Sequence, residues 1–326
     1  MSILFTGQTT SDVGGTLKST STTAAADSNY SAEHFYVEGQ PDNSQLPFNV
    51  IFSPPSTTGE IWLHFRHLTT AVIYHSNFAD GQWLQFSDSS GNLVAQIDLT
   101  DDEYYAKTTN GTSMATTRPT ENVVYTYDLC VTADGTDLTF DVYINGGLNA
   151  SVTQAYTGDL PTSCLFSHSD MVWTSTSGTE QWYYSEMIVT HNESTLGWRL
   201  ATLTPNGNSS DTSWTGDYTD ILDGDDGSNI SSSTHNDRES WTLSNYAGAT
   251  PTSIRAVVNK FYGQAGTSGI SQFAPFVKIG GTDYNSATSA PVPAGLNDVL
   301  STNPDTGVDW TITDLNNLIV GIQGKT

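Results

Sequence analysis

The stretch that decides the fold is Tyr125–Gly147, which reads YTYDLCVTADGTDLTFDVYINGG. Two runs of alternating apolar and polar residues flank the turn sequence Asp134-Gly135. Glycine adopts the positive φ that tight hairpin turns require, and Asp-Gly is a common pair at such turns. In the second run, every other residue is apolar: Leu138, Phe140, Val142 and Ile144. Successive side chains of a strand point to opposite faces, so the stretch predicts an antiparallel hairpin with one buried face.

Similar alternation recurs on both sides of this hairpin. Ile61, Leu63 and Phe65 alternate with more polar neighbours, and Leu93–Leu99 follows the same pattern. Helix-forming residues are scarce, and no repeat of about 20 to 50 residues is present, which argues against solenoids and propellers. The sequence therefore predicts an all-β fold, an antiparallel jelly-roll sandwich followed by a smaller β-sandwich domain.

The chain divides into three predicted parts. Residues 1–29 are rich in Ser, Thr, Ala and Gly and are expected to form an N-terminal arm. Residues 30–204 form the predicted jelly roll, and residues 205–326 form the smaller β domain, because the Pro205-Asn-Gly stretch is typical of a linker. Near the C-terminus we expect Trp310 to enter a core and Thr313 to begin a short helix.

Charge excludes several classes of function. The chain carries 10 Lys and Arg against 35 Asp and Glu, a formal net charge of −25. Binding to nucleic acid or to anionic lipid needs clustered cations, and neither partner is expected here. The N-terminal residues lack the features of a signal peptide, and no run reaches the roughly 20 apolar residues of a membrane span. We therefore expect a protein made in the cytoplasm and not inserted in a membrane.

Catalytic motifs are missing from the sequence. It contains no Gly-x-Ser-x-Gly elbow, P-loop, His-Glu-x-x-His pair or dinucleotide fingerprint. The neighbouring carboxylates of Asp101, Asp102 and Glu103 fall in a predicted loop, where solvated charge is the simpler interpretation. The chain is therefore predicted not to be an enzyme, and no catalytic residue is assigned.

One acidic stretch has a composition that calcium loops share. In DGDDGSN, the carboxylates of Asp223, Asp225 and Asp226 are interleaved with glycines that permit a tight wrap. Thr234 stands where an EF-hand would place its bidentate glutamate. Calcium is thus the one cofactor that the sequence suggests. An acidic loop without a metal is the interpretation we prefer.

Aromatic residues at polar strand positions suggest a ligand site. Trp62, His64 and Arg66 share the face opposite Ile61, Leu63 and Phe65. Tryptophan stacks on sugar rings, so this trio is the predicted ligand-binding set, for contact with a sugar or a protein. Packing within the fold is the competing interpretation of these aromatics.

Two cysteines, Cys130 and Cys164, cannot form a disulfide framework. A single bridge between them is one alternative. Two buried free thiols are the alternative that we predict.

Several pieces of the chain resemble a known group of proteins. The DGT turn and FDVYING strand of the hairpin resemble the concanavalin A-like or laminin-G-like jelly roll. Tyr183–Gly207, YYSEMIVTHNESTLGWRLATLTPNG, resembles the closing strand and exit of such domains in tailed-bacteriophage virion proteins. The opening MSILFTGQ and the closing NPDTGVDWTITDLNNLIVGIQ are similar to the ends of those proteins. The resemblance implies the fold and a virion setting, and assigns no catalytic or binding residue.

These observations together predict a structural protein on the exterior of a tailed-phage virion, as a head fibre, spike, decoration or tail component. Its expected partners are other virion proteins, further copies of itself in a homo-oligomer, taken as a trimer by analogy, and host-surface glycans. The alternative is a lectin-like carbohydrate-binding protein or a polysaccharide depolymerase. A third class is a cytoplasmic β-sandwich binding module unrelated to phage.

Overall fold

The computed structural model confirms an all-β chain. It describes residues 2–7, 13, 18–19, 35–38, 48–69, 81–99, 104–109, 111, 113–169, 181–222, 229–263, 270–286, 290–291 and 294–325. Contacts divide the chain into two compact units, Met1–Ala201 and Thr202–Thr326, which part close to the predicted boundary at Pro205.

The described part of the first unit contains fourteen strands, all paired antiparallel. They are β1 (Ser2–Gly7), β2 (Lys18–Ser19), β3 (Phe35–Glu38), β4 (Phe48–Ile51), β5 (Gly59–Thr69), β6 (Gly81–Ser87), β7 (Leu93–Leu99), β8 (Tyr104–Thr108), β9 (Ser113–Thr116), β10 (Tyr125–Ala133), β11 (Asp137–Ile144), β12 (Gly147–Ala155), β13 (Ser163–Ser169) and β14 (Gln181–His191).

These strands form two sheets. An eight-stranded sheet runs in the order β12-β11-β10-β5-β14-β3-β2, and β1 also pairs with β14. A six-stranded sheet runs in the order β4-β13-β6-β7-β8-β9. Neighbours such as β5 and β14 are far apart in the chain, as expected for a jelly roll, in which strands exchange between two packed sheets.

The predicted hairpin is present as β10 and β11. Its register pairs Ala133 with Leu138 and Tyr127 with Ile144. One oxygen of the Asp134 carboxylate accepts hydrogen bonds from the backbone N–H groups of Thr136 and Asp137, both at 2.8 Å. This side chain closes the turn by satisfying two amides that the strand ladder leaves unpaired.

The core of the first unit lies between the two sheets. It is dominated by aromatic side chains whose rings meet face to edge or stacked, as in the Phe48–Phe166 stack with centroids 4.5 Å apart. The buried indole N–H of Trp83 donates to the Tyr184 hydroxyl at 2.9 Å. Burying these large side chains supplies the main favourable term for folding, and the hydrogen bond avoids the cost of an unpaired indole N–H.

The first residues of the chain belong to the sandwich. Ser2–Gly7, predicted within an N-terminal arm, forms β1 and pairs with β14 over Met187–His191. Phe5 is buried in the core cluster. The apolar Ile3-Leu4-Phe5 run is therefore explained by strand pairing.

The second unit is a smaller β domain. Its described strands are β15 (Pro205–Thr212), β16 (Arg238–Leu243), β17 (Val257–Gly263), β18 (Gln272–Ile279), β19 (Thr282–Asn285), β20 (Ala290–Pro291), β21 (Ala294–Leu300) and β22 (Ile319–Lys325). The main sheet has the order β15-β16-β22-β18-β19 with β20 beside β18, and β17 pairs with β21. Trp214, Trp241 and Trp310 lie in its hydrophobic core.

The C-terminal segment closes this unit. Trp310 is 3% exposed, as predicted, and its indole N–H donates to the Leu300 carbonyl oxygen at 2.9 Å. The short helix α1 (Ile312–Asn316) begins earlier than predicted, because Thr311 is the N-cap in place of Thr313. Thr311 and Asp314 form a capping box, in which each side chain bonds the other residue's backbone N–H.

Both cysteines are buried and free, as predicted. Burial raises the pKa of the Cys130 thiol to about 12 and raises that of Cys164 well above its ordinary value, so both stay protonated. Among the residues that the structure describes, no helix has the length and apolarity to cross a membrane.

Candidate functional site

The first unit has two outward sheet faces on which a site could form. Trp62, His64 and Arg66, the predicted ligand-binding set, lie together on the outer face of the eight-stranded sheet. Trp62 is only 7% exposed, because its ring packs on Tyr143 with centroids 5.5 Å apart. Its indole N–H donates to the Glu60 carboxylate at 2.8 Å. Both the ring and the indole N–H of Trp62 thus have partners within the fold.

His64 lies at the centre of this face and is fully buried, with 0% of its surface exposed. Its Nδ1 donates to Asp128 Oδ1 at 2.8 Å, and the Thr195 hydroxyl donates to the same oxygen at 2.7 Å. Asp128 stands opposite His64 in the β5–β10 register. The Thr195 hydroxyl, from the segment after β14, therefore covers the His64–Asp128 pair.

Arg66 contributes to a buried ion-pair cluster on the same face. Its Nε lies 3.5 Å from Glu186 Oε1. Arg199 donates two hydrogen bonds, of 2.8 and 2.7 Å, to the same carboxylate. Glu186 sits at a β-bulge in β14 with φ of 54°, which turns its side chain outward between Ser185 and Met187. The bulge explains how a buried strand can hold a carboxylate against two arginines.

The segment that follows β14, residues 192–201, is here called the exit segment. It covers the predicted set, since Thr195 bonds Asp128 while Arg199 and the Leu200 N–H bond Glu186. Only 15% of the Arg66 side chain reaches solvent. The structure brings the three predicted residues together on one face and gives each of them partners within the fold.

The predicted calcium ligands Asp223, Asp225 and Asp226 lie outside the described residues. Within the described ranges, no group of three or more His, Cys, Asp or Glu side chains is placed to hold a metal ion.

The outer face of the six-stranded sheet carries polar side chains on four strands that sequence reasoning missed, with the apolar Leu165 between Asn49 and Gln85. Strand pairing places Asn49, Leu165 and Gln85 side by side across β4, β13 and β6. The line continues through Gln96 on β7 to Lys107 on β8. Asn49, Gln85, Gln96, Lys107 and the nearby Asp98 are called the polar patch below.

Hydrogen bonds join four members of the polar patch. The Gln96 amide donates to Asp98 Oδ2 at 2.9 Å, and Lys107 Nζ lies 2.6 Å from the same oxygen. The Gln85 amide donates to Gln96 Oε1 at 3.4 Å. This network fixes the orientation of Gln85, Gln96, Asp98 and Lys107 before any ligand arrives, which lowers the entropic cost of binding.

The members of the polar patch differ in how exposed they are. Gln96 and Asp98 form its floor, at 9% and 3% exposed, whereas Asn49, Gln85 and Lys107 are half-buried around them. The side-chain oxygen of Asn49 is buried and has no protein hydrogen-bond partner. A buried polar acceptor is normally satisfied by protein, water or ligand. The patch thus holds donors of fixed orientation and one buried acceptor without a protein partner.

The sequence held a signal for this patch. In β7 the polar Gln96 and Asp98 alternate with the apolar Ala95 and Ile97, which lie in the core. Alternation alone marks the outward face, but only the strand register shows that Gln85 and Lys107 flank Gln96. A single strand gave no reason to choose these residues over other outward-facing ones.

Comparisons with known proteins find only distant likenesses. No protein-family model matches the chain, and no curated protein sequence matches it. A solved structure of the cellulose-induced protein Cip1 is 13% identical over 57% of this chain and 89% of that chain, with a TM-score of 0.41. A structure concerning botulinum neurotoxin type C and two ganglioside molecules is 9% identical over 87% and 72%, with a TM-score of 0.43. The binding domain of botulinum neurotoxin serotype D/C VPI 5993 is 8% identical over 98% and 81%, with a TM-score of 0.40.

These likenesses are weak, with TM-scores below 0.5 and identities of 13% or less. They carry no argument about what this chain binds. The strand pairing described above supports the jelly-roll class. The polar patch is the feature of the first unit that bears on function.

Proposed function

We propose that the first unit binds carbohydrate on the outer face of its six-stranded sheet, through the polar patch. Sugars present hydroxyl groups that each donate and accept hydrogen bonds. Side-chain amides and carboxylates match adjacent hydroxyls, because they hold a donor and an acceptor, or two acceptors, a fixed distance apart. Gln85 and Gln96 lie side by side next to Asp98, and Asn49 lies two strands beyond Gln85, so these groups offer this chemistry on one sheet.

Binding is favoured over glycosidic hydrolysis. Most glycosidases need two carboxyl groups flanking the bond to be cleaved. Asp98 is the only Asp or Glu in the described strand residues of the six-stranded sheet, and it is held by Gln96 and Lys107. This is the lectin-like alternative of the sequence prediction.

A glycan array followed by titration tests the proposal. We expect the whole chain to bind at least one oligosaccharide, and Gln85→Ala or Asn49→Ala to weaken that binding about tenfold, since each removes one or two hydrogen bonds worth about 1 kcal/mol each. Thr139→Ala is the matched control, because Thr139 lies on the outer face of the other sheet and bonds only Thr153 there. Equal loss in Thr139→Ala and Gln85→Ala, or no binding to any glycan, would reject the proposal.

The virion setting is a further proposal, which rests on the sequence resemblance. In that setting, glycan binding would attach the particle to a host surface, and the chain would be present in many copies beside other virion proteins. Mass spectrometry of purified phage particles tests this setting: peptides of the chain should be retained after banding in a density gradient. Their absence from particles that are otherwise complete would contradict it.

A further inference from the structure

We propose that the polar patch selects neutral glycans, and that Asp98 is the residue that excludes acidic ones by neutralising Lys107. This inference rests on the proposed function and adds the class of ligand to it.

The cation that could bind an acidic sugar, Lys107, already forms an ion pair with Asp98. Lys107 is the only Lys or Arg in the described strand residues of the six-stranded sheet. Its ammonium lies 2.6 Å from Asp98 Oδ2. A uronic acid or sialic acid carboxylate placed on the patch would therefore meet a pair with no net charge.

Asp98 is held in that position. It is 3% exposed, and Gln96 donates to the same oxygen that faces Lys107. A buried carboxylate that loses its partners pays a large desolvation cost, so the Asp98–Lys107 pair resists exchange for a ligand carboxylate.

The remaining groups of the patch are neutral amides, which bind hydroxyls without supplying a charge. The whole chain carries a net charge of −25, so its field also repels polyanions at long range. Salt at physiological strength screens that field beyond about 8 Å, whereas the local pairing of Asp98 and Lys107 persists.

The experiment uses matched pairs of oligosaccharides, each uronic-acid oligomer beside its carboxyl-reduced neutral form. The two members differ only at C6, where the acid has a carboxylate and the neutral form a hydroxymethyl group. We expect the whole chain to bind the neutral member of at least one pair about tenfold or more tightly than the acid at physiological salt.

Asp98→Asn tests the role of the carboxylate. The substitution keeps the shape of the side chain and removes the negative charge beside Lys107, so the affinity for the acidic member should rise severalfold and the preference should narrow or reverse. Asp141→Asn is the control, since it changes net charge equally on the outer face of the other sheet and should leave the preference unchanged.

Each outcome decides a different claim. Tighter binding of the acidic member by the unmodified chain, or an unchanged preference in Asp98→Asn, overturns the exclusion by Asp98 and leaves glycan binding standing. An equal shift in Asp141→Asn also overturns it, because net charge would then be the cause. No binding to either member of any pair overturns this inference, and no binding to any glycan on the array rejects the proposed function as well.

Discussion

At the scale of single residues, His67 shows how burial controls a charge. It points into the aromatic core of the first unit, where its Nδ1–H donates to the Tyr183 carbonyl oxygen at 3.1 Å and its ring stacks on Tyr184. Burial lowers the pKa of His67 from 6.5 to about 3, because the core penalises the imidazolium form.

This burial predicts a pH-dependent stability. The folded pKa lies below the unfolded one, so the unfolded chain takes up the proton first as the pH falls, and stability is lost between about pH 6.5 and pH 3. Because of His67, we expect the free energy of unfolding to fall by about 2 kcal/mol from pH 7 to pH 5. Denaturant unfolding of the whole chain and of His67→Phe at both pH values measures it. Parallel pH dependence in the two proteins would contradict the prediction.

The Glu186 cluster gives a second prediction at this scale. Glu186 is fully buried between Arg66 and Arg199, and the loss of one partner leaves a poorly compensated charge. Arg199→Ala should destabilise the first unit by about 3 kcal/mol. Arg199→Lys keeps the charge but loses the second bond, so it should fall between the alanine variant and the unmodified chain in the same unfolding assay. A change in Arg199→Ala below about 0.5 kcal/mol would show that the cluster contributes little.

The outward face of Trp62, His64 and Arg66 could be predicted from alternation, but their burial could not. The residues that cover them, Thr195 and Arg199, lie more than a hundred positions along the chain. Local patterns carry no information about which distant segment packs over a face. Polar residues on a strand therefore identified an outer face, and the ligand-binding role of Trp62, His64 and Arg66 stays a prediction.

At the scale of elements, the main sheet of the second unit depends on one glycine. Gly321 of β22 lies between Ser240 and Phe276 in the register. The Phe276 ring lies against Gly321, and the Arg238 guanidinium covers that ring at 3.9 Å from its centroid. A Cβ at position 321 would overlap the ring and come within 2.7 Å of the Glu239 carbonyl oxygen.

Gly321→Ala should therefore destabilise the second unit by about 1 to 3 kcal/mol, the usual cost of overpacking. Gly147→Ala is the matched control, because its added methyl would meet only the Ile144 carbonyl oxygen at 3.7 Å. Thermal unfolding of both variants measures the difference. Equal midpoints would show that the Phe276 ring moves aside at little cost.

Elements differ in how far their sequences predict them. The β10–β11 hairpin follows from alternation and from Asp134-Gly135, since both signals are local. The bulge at Glu186 could not be predicted, because its positive φ is stabilised by arginines from β5 and the exit segment. The capping box likewise moved the start of α1 to Thr311, as Thr311 and Thr313 are both acceptable caps in sequence.

At the scale of the whole molecule, composition predicted the class of fold. Few helix formers and many alternating runs lead to two β units, and two sheets enclose the core of the first. The polar patch needed the strand order as well, because its members come from β4, β6, β7 and β8. Chain-wide acidity and the pairing of Lys107 with Asp98 then point to the same partner, a ligand without charge.

The most direct test of glycan binding on the polar patch is a crystal structure of the whole chain with the oligosaccharide that binds best on the array. We predict sugar hydroxyls within hydrogen-bond distance of the Gln85 and Asn49 side-chain amides, on the outer face of the six-stranded sheet. Sugar density on the Trp62–Tyr143 face or on the second unit, with the polar patch free of sugar, would contradict the proposed site.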